Sequence, residues 1–372
     1  MYYVTYLSKP RTRFGITEEE MKAEYERNFD KRVTKVTPTV RSFENRYKIN
    51  DALTIVFNRV CDAYHLPPWR INLDMTDFSD KYETFHIPKA SGGVREITAP
   101  LPDLRYAQRE ALKIIPKHCK FLPHNAAHGF TKNRNPKTAL QVHQANKSKW
   151  FLKIDIKDFF PSCNQEFVVK QLRQIYPFCM WSDEIIKSFI WICFRNDELP
   201  QGTPLSPLIT NWLMVPLDHQ INKMLNSLDD NFFTYTRYAD DMLISCKEKF
   251  DNNEVVSLIK EILLEMNTPF EIKDAKTRYG SKAGRNWNLG IMYNKDNNLT
   301  VGYRRKRRIK TMLFQFYQGE RSWDYAVELN GELAYLKNIE PDYFNHMITA
   351  MNNKYNFNFM YEINRALKQR PE

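Results

Sequence analysis

The nine residues RYADDMLIS, Arg237 to Ser245, constrain this chain more than any other stretch. Their composition is that of a buried strand, yet two adjacent carboxylates, Asp240 and Asp241, stand in the middle. Aspartate is depleted in strands, and a buried carboxylate without a partner is costly. With FFTYT before it, the segment reads as strand, tight turn, strand, with the Asp pair at the hairpin tip. Alone, such a pair is usually a solvated turn. A second apolar run, KWFLKIDI at residues 149–156, carries Asp155 near its end, and alone that residue reads as a turn or cap. If the two strands deliver their carboxylates to the same end, they make a hard-oxygen site for Mg²⁺, with Mn²⁺ as a substitute. Two such ions, roughly 3.5–4 Å apart, are the usual device for moving a nucleotidyl group, and their charge offsets the burial of the carboxylates.

The rest of the composition fits that chemistry. The 372 residues suit two or three domains or one multi-lobed unit. A net charge of +11 suits a polyanionic partner such as nucleic acid. No run approaches the roughly 18 apolar residues of a membrane span, and the N-terminus lacks a signal-peptide core, so a cytoplasmic protein with no membrane partner is expected. Cys61, Cys119, Cys163, Cys179, Cys193 and Cys246 form no metal or redox spacing and read as reduced core thiols.

Along the chain, TEEEMKAEYERNFDKRV opens with a capping box (Thr17, Glu20) and repeats apolar residues every four positions, which predicts a helix over 17–33. A second helical stretch over 40–66 stops at Pro67 and Pro68. YETFHIPKASGGVREITAP predicts a hairpin around SGG, and residues 165–196 read mostly as helix. From Lys306 onward Ile309, Met312, Leu313 and Phe316 follow helical spacing, stopped by Gly319.

The ordered segments FLKIDIKDFFPS, LPQGTPLSPLITN, RYADDMLIS, EIKDAKT and LGIMY resemble the motif series of reverse transcriptases, most closely the bacterial retron-type group, over about residues 82–345. YADD is a form of that family's YxDD box. Two segments depart from the retron pattern: TALQVH stands where those enzymes carry NAxxH, and Asn288-Leu289-Gly290 where they carry VTG.

The resemblance implies an α+β right-hand polymerase fold with an antiparallel-sheet palm. Its expected layout is a helical N-terminal region over 1–75, fingers with N-terminal palm elements over 76–150, a palm over 151–300 with a helical insertion at 165–200, and a helical thumb over 301–372. It implies that Asp155, Asp240 and Asp241 hold the metals, with the Ile156 carbonyl as an extra ligand, and that Lys276 protonates the leaving pyrophosphate. Asp241 is expected to contribute mainly charge. Phe160 matches the steric gate against a 2′-hydroxyl, while Phe159 reads as core. Gln201 and Gly202 would line the nucleotide pocket, Lys89 and Arg95 would neutralise its triphosphate, and Tyr238 would sit beside the primer terminus. Lys132, Arg134 and Lys137 would contact template or primer backbone, and Arg304, Arg305, Lys306, Arg307, Arg308 and Lys310 would form the basic face of the thumb. His128 and His143 lack a metal-ligand partner at short spacing, so structural roles are expected.

The implied activity is RNA-directed DNA synthesis from dNTPs, with a dedicated non-coding RNA template and a DNA product or primer, in antiphage defence. A partner protein or a homo-oligomer is compatible with it. Template-independent or protein-primed synthesis at the same site is an alternative, and a non-catalytic RNA-binding scaffold is another.

Overall fold

The structure is a computed structural model, which describes residues 79–370 apart from 89–91, 103, 107, 110, 113–122, 176–177, 181–182, 229–231 and 283–285. The expected N-terminal helices and Lys89 lie outside the described residues, as do Cys61 and Cys119.

The central element is a four-stranded antiparallel sheet in the order β4-β5-β3-β6. It comprises β3 (Trp150–Asp155), β4 (Thr234–Tyr238), β5 (Asp241–Cys246) and β6 (Arg278–Ser281). Its alternation feeds two cores. Leu152, Ile154, Met242 and Ile244 point into one hydrophobic cluster, while Phe151 and Leu243 point into another. With side chains alternating across the pleat, both faces of the sheet are covered, which explains why its central strands read as near-continuous apolar runs.

The first core is closed by helices α2 (Gln165–Leu172), α3 (Asp183–Ile190), α4 (Ser206–Leu213), α5 (Val215–Leu225) and α6 (Asn252–Glu265). The expected helical insertion therefore holds two α-helices, α2 and α3. The second core joins the opposite face to α1 (Pro136–Ala145), the hairpin β7 (Met292–Tyr293) and β8 (Leu299–Thr300), and the C-terminal helices. Those are α7 (Tyr303–Gln318), α8 (Trp323–Ile339), α9 (Pro341–Tyr355) and α10 (Phe359–Leu367).

Local chemistry sets the ends of these elements. Asn135 and Thr138 form a reciprocal capping box at the start of α1, with Pro136 in its first turn. Gly302 precedes α7 at φ 80°, and a Cβ there would collide with the Met292 side chain. Gly319 ends α7 at φ 120°, as the sequence suggested.

The expected hairpin is β1 (Tyr82–Pro88) paired in antiparallel register with β2 (Val94–Pro100). It is seated on the sheet-bearing body by the Thr98 N–H, which donates to the Gln201 carbonyl at 2.8 Å, and by Arg195, whose Nη1 donates to Thr84 Oγ1 at 3.0 Å. No described helix is long and apolar enough to cross a membrane.

Candidate active site

The register of the central sheet brings the carboxylates together. In the β3–β5 ladder Asp155 is the direct partner of Asp241, and in the β4–β5 ladder Tyr238 pairs with Asp241. Only Ala239 and Asp240 remain for the connection, and Ala239 takes the left-handed conformation, φ 56°, that two-residue hairpins demand. The Ile156 N–H donates to the Asp240 carbonyl at 3.1 Å, which ties the end of β3 to the turn.

The chain after α6 then runs beside the end of β3. Ile156 and Ile272 form an antiparallel bridge, and the Lys273 N–H donates to the Asp155 carbonyl at 2.8 Å. That places the 3₁₀ turn Asp274–Lys276 so that Lys276 Nζ reaches Asp155 Oδ2 at 2.8 Å. Lys153, two residues before Asp155 on the same strand face, reaches Asp241 Oδ2 at 2.8 Å.

Two of the three carboxylates are therefore neutralised by lysines. For Asp240, burial first and then repulsion from Asp241 and Asp155 raise the carboxyl pKa to about 6, against opposing pulls from a backbone hydrogen bond and Lys276. This is the electrostatic condition a cation would relieve. Among the described residues no group of three or more His, Cys, Asp or Glu forms a ready metal cage. An open site fits Mg²⁺ nevertheless, because that ion keeps several waters and is commonly held by one or two carboxylates plus substrate phosphates. The donor set of Asp155 and Asp240, with the Ile156 carbonyl adjacent, is all hard oxygen, as Mg²⁺ requires.

A buried network that sequence reasoning missed holds the turn. Arg237 and Asp218 are both almost fully buried and form a two-point pair, with Nε to Oδ1 and Nη2 to Oδ2 each at 2.8 Å. The Tyr235 hydroxyl donates to Asp218 Oδ1 at 2.8 Å. Arg237 Nη1 donates to the Ala239 carbonyl at 3.1 Å, inside the two-residue turn itself. Arg237 also carries the strand onward: its N–H donates to the Ala126 carbonyl and its carbonyl accepts from the His128 N–H, a short parallel bridge that docks AAHGF against the hairpin. Gly129 is where they touch, since a Cβ there would lie 2.7 Å from the Ala239 nitrogen. The one sequence signal was an arginine in an otherwise apolar strand, and it does not reveal Asp218 on another element.

The remaining expected residues divide. Phe160 is nearly buried and packs edge-on against Phe159, their centroids 5.4 Å apart, so both rings belong to the first core. Gly202 lies in the expected loop, at φ 121°, but what approaches it is protein: a Cβ would meet Ile97 Cγ2 at 2.7 Å and the Thr98 carbonyl oxygen at 3.1 Å. Its glycine is required for the β2 hairpin to dock. Arg95 is exposed on β2 opposite Ile87. Tyr238 is half-buried beside Phe130, and burial raises its phenol pKa.

Several basic residues are already engaged. Arg134 departs from the expected backbone contact: its Nη1 donates to the carbonyls of His124 and Ala127 at 2.8 Å and of Asn125 at 3.2 Å, which orders that loop. Lys137 donates to the Asn338 carbonyl at 2.5 Å, and Lys132 is exposed. Within α7, Arg305 forks onto Glu332 and stacks on Tyr335, Lys306 pairs with Glu340 at 2.6 Å, and Arg308 pairs with Glu328. Only Arg304, Arg307 and Lys310 of the expected six are exposed without a carboxylate partner among the described residues. Helical periodicity explains the division, since α7 turns one side toward the acidic face of α8. His128 and His143 match expectation: burial lowers their pKa values to about 4 and about 3, and His143 is spent on Ser245 and Thr236.

An antiparallel sheet with carboxylates at its hairpin tip, a docked β-hairpin and a helical C-terminal bundle define a right-hand nucleic-acid polymerase. Residues 87–311 match the family model described as reverse transcriptase (RNA-dependent DNA polymerase), and the chain belongs to that family. Its curated relatives include the Escherichia coli retron Ec73 reverse transcriptase, 32% identical over 72% of this chain and 85% of that protein. The retron Ec83 reverse transcriptase of the same species is 29% identical over the same shares. The chain is thus a retron-type, RNA-directed DNA polymerase, despite its two local departures from the retron motifs. A Candida albicans telomerase structure is similar at 13% identity and a TM-score of 0.43 over 76% of this chain and 57% of that one, too loose a likeness to place residues.

Proposed function

We propose that this chain copies a dedicated RNA into DNA by two-metal nucleotidyl transfer at Asp155 and Asp240. The observation that carries the reading is the register that sets Asp155 beside Asp241 while the two-residue turn presents Asp240. Mg²⁺ bound there would supply an activated primer hydroxyl and a charge partner for the departing pyrophosphate. Asp155 and Asp240 would hold it, with the Ile156 carbonyl adjacent. Asp241, paired with Lys153, would add charge. Lys276, half-exposed and resting on Asp155, would release that carboxylate and turn its ammonium to the leaving group, as donor of a proton. Phe160 would exclude the ribose 2′-hydroxyl from the edge of the first core, and Arg95, with Lys89, would meet the triphosphate.

The retron reverse transcriptases among its relatives support RNA-directed DNA synthesis, and a dedicated non-coding RNA is the proposed template. Antiphage defence is the proposed setting for that synthesis. The four described cysteines are free thiols, which supports a cytoplasmic location. Primer extension on a primed RNA template with dNTPs and Mg²⁺ tests the reading. Incorporation that vanishes in the Asp240→Ala/Asp241→Ala double variant is expected. No incorporation by the wild-type chain would overturn it. Label retained on protein after nuclease treatment and lost after protease would favour protein-primed synthesis, and RNA binding with full biological activity in the double variant would favour a scaffold.

A further inference from the structure

Phe130 is a large apolar side chain that the fold exposes beside the catalytic turn. It is 55% exposed, belongs to neither hydrophobic core, and lies with its ring centroid 6.2 Å from that of Tyr238, the planes tilted by 39°. Its backbone is left-handed, φ 54°, a region that bulky residues avoid and that persists where surrounding structure enforces it.

That enforcement is visible on both sides. The His128 N–H donates to the Arg237 carbonyl at 2.8 Å, and the Gly129 carbonyl accepts from Asn211 Nδ2 at 2.8 Å and from Thr131 Oγ1 at 3.2 Å. Gly129 itself is pressed against Ala239. The chain is pinned to the turn that bears Asp240, and the next side chain is held out toward Tyr238. Among the described residues the ring's one aromatic contact is with Tyr238, and it belongs to neither core.

We propose that Phe130 is a substrate-contacting residue whose ring is a stacking platform for the nucleobase at the growing end. This rests on the polymerase reading above. A polymerase must accept every base at that position, and stacking suits the task because every base offers a π-face. The base could belong to the primer terminus or to the template nucleotide opposite it. The chemistry is shared, and a fluorescent base analogue separates the two.

The test uses the full-length protein and a primed RNA duplex carrying 2-aminopurine either at the primer 3′ end or in the facing template position. Wild-type protein is expected to quench one of the two. Phe130→Ala should lose that quenching and weaken primed-template binding about tenfold, within the range for loss of one aromatic–base stack. Phe130→Tyr and Phe130→Trp should restore both, and Phe130→Leu, apolar but without a π-face, should not. Because the ring is exposed, the melting temperature should be unchanged across the set. Quenching at neither position, wild-type behaviour of Phe130→Ala, or full rescue by Phe130→Leu would overturn the proposal. A wild-type chain that extends no primer sinks the polymerase reading, whereas an active wild type with an indifferent Phe130→Ala sinks this inference alone.

Discussion

At Asp240 the fold works against its own charge. Its carboxyl pKa is raised from 3.8 to about 6, first by burial and then by Asp241. The sign follows from proton binding: between about pH 4 and pH 6 the folded state holds the proton more tightly than the unfolded chain. Stability therefore falls as pH rises through that window and stays lower above it. Asp240→Asn removes the conflict. In metal-free buffer at pH 7.5 it should stabilise the protein by about 1–3 kcal/mol, because each tenfold change in proton affinity is worth roughly 1.4 kcal/mol and solvent access offsets part of it. At pH 3.5 it should change little. Urea unfolding at both pH values checks this, and an equal effect at both would refute it. These carboxylates were legible because acids in apolar strands are conspicuous. Lys153 was not, because its diagonal reach to Asp241 depends on a register that no single strand encodes.

The elements around the turn explain what the short motifs are for. Gly202 was legible as a glycine in a loop between two carboxylate segments, but its close neighbours, Ile97 and Thr98, lie about a hundred residues earlier. Gly202→Ala should displace the β2 hairpin. We expect a loss of about 1–3 kcal/mol from the positive φ and the close contacts, together with a raised KM for dNTP because Arg95 rides on that hairpin. Thermal unfolding and steady-state incorporation measure both, and an unchanged KM would detach the hairpin from nucleotide binding. The Asp218–Arg237 pair makes a different prediction. Asp218→Ala leaves a buried guanidinium without its partner and should cost about 3–5 kcal/mol. Replacing both residues with apolar side chains of similar volume should cost less stability but still lower kcat, because the Ala239 carbonyl loses its donor. Equal kcat in the double variant and wild type would show that the turn holds its shape unaided.

Over the whole molecule, one sheet serves two cores, and Asp155, Asp240 and Asp241 stand at the end of the strands that join them. The apolar strands were legible, as were the hairpins and the C-terminal helices. The second core was not, because Phe151 and Leu243 look no different in sequence from the residues beside them that face the other way. The basic run of α7 was legible as charge, but its division between internal ion pairs and free surface appears only when α8 packs against it. Arg307→Ala should therefore reduce the salt dependence of nucleic-acid binding by about one phosphate contact. Arg305→Ala should lower stability through loss of Glu332 pairing and Tyr335 stacking, with little change in that slope. Equal slopes in the wild type and Arg307→Ala would remove this surface from the nucleic-acid path.

We propose that Asp155 and Asp240 form the metal site, with Asp241 paired to Lys153. Mn²⁺ binding followed by electron paramagnetic resonance, in the presence of primed RNA and a non-hydrolysable dNTP, tests it directly. Asp155→Asn and Asp240→Asn should each lose high-affinity Mn²⁺, while Asp241→Asn should retain most of it. Wild-type Mn²⁺ binding by Asp155→Asn and Asp240→Asn would place the metal elsewhere and overturn this assignment.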